Sequence, residues 1–383
     1  MAYLSWNVKF GSGFGSSLND VLTVNTEHGR DWPTDPFNPA SCTIVSRNIA
    51  AWTTTPVIGD IIYVSSATDR NVAVFSGFIK DVQINYGTKT SMDTAVITCE
   101  GPLAQPGRKQ INSVAITQDK TLSQISTVMT AYFSAYGQTF GTGKSIASAQ
   151  TYTGNLLDLI NLLLTTEMGY AREIGVGTFI IAGDYKYNPQ VNFYPRNYDT
   201  TANYTFSDNP ASNSEMRYDP TGIAFTSAAQ LYYRQATIQP QALASQTSGS
   251  SNYSITQDSL DYNTTQALSH AQYIVSQYAS TTSRPLSITA SYAQQTDNAT
   301  RMTTYLNFLA DTNSGAGNLI KIVFRGNTYY AVIEGRSLFA DTSETSVTVT
   351  VSGYDNNNYL ILNNAVFGTL GTSGTYPGNK LGF

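Results

Sequence analysis

The chain has 383 residues, enough for two or more domains at roughly 100–200 residues each, and 21 basic against 26 acidic residues leave a net charge of −5. That balance excludes a protein that grips nucleic-acid phosphates with a basic face, and suits a surface past which DNA slides without sticking. Only 12% of the residues are charged, about half the usual ~25%, while 26 tyrosines and a 41% hydrophobic content supply ordered cores, so the picture is a β-rich, neutral-polar protein whose surface is largely covered by partners.

Residues Met1 to Phe10 alternate as a strand does and contain no signal-peptide apolar core. No apolar run approaches the ~20 residues that span a membrane. Gly11-Ser12-Gly13-Phe14-Gly15 spells part of a dinucleotide loop, but no apolar-periodic helix follows, and the segment reads as an exposed turn or arm. Three prolines between Arg30 and Pro39 make an extended connector. Ala40 to Val45 then opens a β unit.

Gly59 to Gly101 reads as three strands. Ile61 and Tyr63 lead to a turn at 67–71, Val72 and Val74 follow, and Ala95 to Cys99 supplies the third. Gly77 interrupts the second strand after Phe75, and glycine there marks a bulge or bend of the kind that curls a small sheet into a barrel. Cys42 and Cys99 fall in or beside this unit. In a chain of this length they read as a pair of buried thiols, with a bridge as the alternative.

The composition shifts at Gly101-Pro102. Thr121 and Gln124 have the spacing of a capping box, and Leu122, Ile125, Met129, Tyr132 and Tyr136 continue at helical spacing to Gly137. A second helix runs from about Asn155 to Met168, with Leu156, Leu159, Ile160, Leu163 and Leu164 on one face. It leads into a hairpin whose strands, 170–173 and 178–181, are turned by Gly175-Val176-Gly177. Residues 191–260 are polar and tyrosine-rich with one strand at Ala229 to Ile238, and Ser245 to Ser254 reads as a loop. A third helix covers about Thr264 to Tyr278, and Leu286 to Ala290 opens a second β unit.

That second unit echoes the first. Gly317-Asn318-Leu319-Ile320-Lys321-Ile322 repeats the form of Gly59-Asp60-Ile61-Ile62-Tyr63-Val64, Gly335 falls where Gly77 does, and Ser346 to Gly353 matches Thr94 to Gly101. A duplication follows, with Gly77 and Gly335 as equivalent barrel bends. A polar tail rich in Gly and Asn closes the chain.

Chemistry is thinly signalled. His28 and His270 lie far apart without Cys or Asp at metal spacing, so neither a zinc site nor a Ser-His-Asp triad is supported, and both read as surface or loop residues. Gly141-Thr142-Gly143-Lys144-Ser145 approaches a phosphate loop, but Gln138 stands where the pattern needs glycine and no buried strand precedes it. Asp158, Glu167, Glu173 and Asp184 could form a carboxylate pair for glycoside chemistry, although Asp158 fits better beside an Asn155 helix cap. Asn-x-Ser/Thr triplets at Asn203, Asn252, Asn263 and Asn298 follow from composition. No catalytic, cofactor-binding or metal residue is assigned, and no cofactor is expected.

In the order of its parts the chain resembles the tail hub proteins (minor tail or baseplate hub) of tailed bacteriophages. The residues carrying the resemblance are Gly59-Asp60 with Phe75 to Ile79, Asn155 to Ile160 running into Glu167-Met168-Gly169, Val332 to Gly335 with Thr345 to Val351, and the terminus Asn379 to Phe383. The second barrel departs from the pattern at Gly317-Asn318.

The resemblance implies a mainly β (α+β) fold in which two small tube-type β-barrel domains flank a helix-plus-hairpin insertion. The divisions are 1–105 for an N-terminal arm and first barrel, 106–190 for the helix-and-hairpin module, and 191–284 for the polar segment and helix. Residues 285–355 form the second barrel and 356–383 the C-terminal extension. It further implies a non-enzymatic homotrimer in the virion, at the distal end of the tail, assembled in the bacterial host cytoplasm. Its partners would be the tail tube or distal tail protein on one side and the tip or fibre protein on the other, with genomic DNA passing through the lumen unbound. The alternatives are a hexameric distal tail protein, with one barrel per chain, and a tail-associated glycan-binding or cell-wall-degrading module.

Overall fold

The computed structural model describes residues 4–11, 15–18, 20–52, 54–67, 73–132, 138–180, 184–226, 233–241, 243–278 and 284–353. The turn expected at 67–71 and the C-terminal motif lie largely or wholly outside these residues, as do Tyr136 and Gly137.

Two β units share one plan. The first is built from β1 (Trp6–Phe10), β2 (Val21–Gly29), β3 (Asn38–Arg47), β4 (Ile61–Ser66), β5 (Ala73–Asn85) and β6 (Thr94–Glu100), in the order β2-β3-β6-β5-β4-β1. Then come α1 (Thr121–Tyr132), α2 (Leu156–Glu167) and a hairpin of β7 (Tyr170–Ile180) and β8 (Asp184–Tyr194), followed by β9 (Tyr204–Ser207) and β10 (Ile223–Thr226). A three-stranded sheet of β11 (Gln235–Pro240), β12 (Gln246–Gly249) and β13 (Ser254–Ser259) precedes α3 (Thr264–Tyr278). The second unit adds β14 (Arg284–Ser291), α4 (Ala299–Leu309), α5 (Asp311–Ser314), β15 (Leu319–Phe324), β16 (Asn327–Ala340) and β17 (Thr345–Gly353). Its strand order, β10-β14-β17-β16-β15, repeats the first five strands of the first unit, and β9 then adds in parallel to β15 where β1 adds antiparallel to β4.

Backbone hydrogen bonds fix the equivalence. Gly59 N–H donates to the Ile79 carbonyl at 2.8 Å and Ile79 N–H to Asp60, while Gly317 N–H donates to Ile333 at 2.8 Å and Ile333 N–H to Asn318. Both glycines have left-handed backbone, with φ of 90° and 86°, which favours a residue without Cβ. Beyond these points each long strand bulges against its neighbour, between Ile79 and Asp81 and between Ile333 and Gly335. The duplication is therefore present at the level of register, and Gly101 corresponds to Gly353.

The expected pairing of Gly77 with Gly335 is corrected by the same bonds. With Ile79 on Ile333, Gly77 falls on Ala331 and Gly335 falls on Asp81. The cause is the connection between the two strands: β15 and β16 are joined by the tight turn Arg325-Gly326, both at positive φ, whereas β4 ends at Ser66 and β5 begins only at Ala73. Counting forward from the first glycine thus slips the landmarks. Gly77 itself lies inside continuous β5, where a Cβ would overlap the Glu100 carbonyl and the Phe75 ring.

The two units are welded rather than tethered. β2 pairs with the second half of β16, from Gly29 opposite Gly335 to Val24 opposite Ala340, making one 14-stranded sheet. One apolar core runs through both, including Ile44, Ile62, Phe75, Ile79 and Ile97 of the first unit and Ile288, Phe308, Ile320, Ile333 and Val349 of the second. Residues 204–226, read as part of a polar stretch, supply β9 and β10 to the second unit. Four-residue strands are too short to show a period.

The insertion has its own core. Leu122, Ile125, Val128 and Met129 of α1 pack with Leu156, Leu159, Ile160, Leu163 and Leu164 of α2 and with Val191 and Phe193 of β8. Asn155 caps α2 by accepting from Leu157 N–H at 2.8 Å, with Asp158 in the first turn. The capping box at Thr121 does not form: the Gln124 side chain accepts from Thr117 N–H and the Thr121 hydroxyl donates to Glu167. Two further expectations fail on glycine. Gly175-Val176-Gly177 continue β7 opposite Pro189, Asn188 and Tyr187, because a side chain at either glycine would crowd Tyr187. The segment 245–254 contains β12, paired with β11, and only part of the strand expected at 229–238 lies among the described residues.

Candidate functional site

The hairpin β7–β8, the first unit and the second unit meet at a buried polar seam. Successive residues of a strand point to opposite faces, and β7 uses this to hold both units. The Arg172 guanidinium donates to the carbonyls of Thr312 and Ala316 and to Asn318 Oδ1 at 2.8–3.0 Å, all of the second unit. The next side chain, Glu173, accepts from Leu103 N–H at 2.6 Å and from Ala40 N–H, at the edge of the first. Gly175 N–H donates to Asp311 Oδ2 at 2.7 Å.

Arg336 of β16 completes the seam. It donates to the Leu309 carbonyl at 2.9 Å, to Ser314 Oγ at 2.6 Å and to the Val74 carbonyl of β5. Burial pulls the Arg336 guanidinium down to about 10 despite Asp311 nearby, and pushes the Glu173 and Asp311 carboxyls each up to about 7. Burial, aided by Arg336, holds the His28 imidazole well below its usual range. A second buried pair, Arg30 with Glu334 at 2.8 Å, takes Ser352 Oγ on the other carboxylate oxygen. Its guanidinium lies 4.5 Å from the Phe37 ring centroid. Broken singly, such pairs leave an uncompensated buried charge, so they fix geometry.

Several of the residues weighed for chemistry are spent on the fold. His28 lies in β2, half-buried with its ring edge-on to Phe75, and His270 is buried on α3 with Nδ1 3.4 Å from Asp261 Oδ2, so neither is a loop residue and His270 is not at the surface. In the loop at Gly141 to Ser145, the Lys144 and Ser145 N–H groups both donate at 2.8 Å to the buried carboxylate of Glu167. The place an anion would take is filled from within, and the Lys144 ammonium turns away to the Arg196 carbonyl. Glu167 and Glu173 thus serve separate backbone clusters, Asp158 sits in the first turn of α2, and Asp184 begins β8. Cys42 and Cys99 stand directly opposite each other in β3 and β6 as buried free thiols. Asn263 and Asn298 cap helices through their side chains.

Among the described residues no group of three or more His, Cys, Asp or Glu could hold a metal ion, and no helix is long and apolar enough to cross a membrane. A surface groove of about 460 Å³ is lined by Lys144, Arg196, Asp261, Gln266 and His270. Its carboxylate is already bonded to Ser259 Oγ and Gln266 Nε2. Among the open strand edges are the outer edges of β10 and of the second half of β5, which carry no strand among the described residues. Sequence reasoning missed the seam because nothing in a sequence separates a buried Arg or Glu from an exposed one.

No protein-family model matches the sequence, and no curated protein matches it. Solved structures do match over nearly the whole chain. A tail protein from Neisseria meningitidis MC58 is similar at 7% identity and a TM-score of 0.61, with 92% of this chain and 97% of that one covered. The 43 kDa tail protein of prophage MuSo2 from Shewanella oneidensis gives 10% identity and a TM-score of 0.57 over 91% and 98%. A type VI secretion component from E. coli, described as structurally similar to T4 bacteriophage tail proteins, gives 12% identity and 0.52 over 91% and 77%. The mainly β architecture of this chain is thus the fold of those tail proteins.

Proposed function

We propose that this chain is a structural tail hub protein of a tailed bacteriophage, joining the end of the tail tube to the tail tip. The observation that carries the reading is the duplication, five strands repeated in order and register, on a fold shared with tail proteins. Residues 1–105 and 285–355 are then two tube-type barrels, the second completed by 204–226. Residues 106–190 form the helix-and-hairpin module, 191–284 an intervening segment and 356–383 an extension. Three chains bring six similar barrels to a six-fold tube while presenting three-fold symmetry to the tip. The ring lines or closes the channel, and its net negative charge lets DNA pass without specific binding. Two units per chain weigh against a distal tail ring with one barrel per chain. Buried carboxylates held by backbone amides support a structural role over an enzymatic one.

Light scattering on the purified chain, followed by an electron-microscopy map of the tail tip, tests this. A trimer located between tube and tip supports it. A chain that stays monomeric and associates with no tail protein overturns it.

A further inference from the structure

The seam between the two units is itself a template. Within one chain, β2 of the first unit pairs with the second half of β16. By the registers above, the equivalent of β16 in the first unit is β5, with Ile84 on Leu338 and Asn85 on Phe339. The equivalent of β2 in the second unit is β10. Ile44 and Ile288 occupy the same place in β3 and β14, so Val24 matches Ile223 and Asn25 matches Ala224. The two strands that make the seam in one half therefore recur, unjoined, in the other.

Their exposure fits a missing neighbour. Leu338 is fully buried in the seam, whereas Val82 and Ile84, on the same face of β5, are only half-buried. Large apolar side chains flank this half of β5 with unusual exposure: Val57 at 60%, Ile58 at 68%, Tyr86 at 81% and Met92 at 58%. An open strand edge rimmed by apolar side chains is a pairing surface.

We propose that residues 83–86 of one chain pair antiparallel with β10 of a second copy of this chain, Asn85 opposite Ala224, reproducing between chains this part of the seam made within each. The inference rests on the hub reading, to which it adds the contacting strands and their register. Because the two edges differ, the contact is head-to-tail, and a head-to-tail contact that closes makes a ring.

Paired cysteines test it. Asn85→Cys with Ala224→Cys places two thiols opposite each other across the proposed junction, and Asn25→Cys with Phe339→Cys places two across the seam inside one chain. Mild oxidation is expected to convert the first double variant into covalent dimers and trimers on a non-reducing denaturing gel. The second should bond within the chain with no gain in mass, and either single substitution alone should stay at one chain. Mixing the Asn85→Cys chain with the Ala224→Cys chain should give dimers only, as a head-to-tail contact requires. If light scattering shows an oligomer while the first variant forms no bond between chains, the proposed edge is wrong and the hub reading stands. A protein monomeric at every concentration overturns both.

Discussion

Gly29 and Gly335 are paired across the seam where the two β units join, and neither position has room for a side chain. A Cβ on Gly29, whose φ is 87°, would lie 2.8 Å from the Gly335 Cα, and one on Gly335 would lie 2.5 Å from the Arg30 carbonyl oxygen. The obstructing atoms are backbone and cannot swing aside. Gly335→Ala is expected to cost roughly 1–3 kcal/mol, the range for overpacking. Gly59→Ala, with nothing within 4 Å of its Cβ, should cost only the backbone strain of positive φ, at the low end of about 1–3 kcal/mol. Urea unfolding of the two variants measures the difference, and equal losses would remove the close-approach account.

The Glu173 carboxyl is raised in the folded protein to about 7 because burial outweighs its two N–H donors. A raised carboxyl binds its proton more tightly folded than unfolded, so its contribution is full below about 4.5 and lost as pH rises to about 7. Its share is at most about 3–4 kcal/mol, from ~1.4 kcal/mol per unit. Asp311, also at about 7, acts in the same direction. Denaturant midpoints from pH 4.5 to 7.5 should fall more steeply for the natural chain than for Glu173→Gln.

Glu167 fills the anion position of the loop at 141–145 with its own carboxylate. Magnesium with ATP should leave the melting temperature unchanged. Glu167→Ala strands two amide donors and is expected to cost about 1–3 kcal/mol per unsatisfied buried group. A nucleotide-dependent rise in melting temperature of the natural chain would contradict this.

Cys42 faces Cys99 inside the sheet, and burial, then the neighbouring thiol, pushes its own thiol well above the usual range. A thiol reagent should find neither group in the native protein and both in denaturant. Reaction of a native thiol within minutes would mean that this part of the sheet opens.

The sequence was most legible where one period runs long. α3 spans Thr264–Tyr278 as its stripe of Ala267, Ala271 and Ile274 indicates, and the N-cap at Asn155 was visible from residue type alone. Glycine misled in two directions. Gly175 and Gly177 look like a turn because glycine permits reversal, yet here they make room for Tyr187. Gly77 and Gly335 look equivalent because they follow at equal distances, yet the connections before them differ in length. The buried seam left no trace. Glu173 and Arg336 have the letters of surface residues, and only the fold places them together.

The welding of β2 to β16 imposes an order on synthesis. Residues 24–29 leave the ribosome early, but their outer partners, 335–340, are among the last of the sheet to appear. At ~5–20 residues per second, the first unit waits on the order of tens of seconds with an unpaired edge. An almost finished chain is then the most vulnerable one, since its free strand is a template for any passing strand of similar shape. Release of the chain before Ala340 would leave the first unit permanently adhesive at that edge and the second without β17.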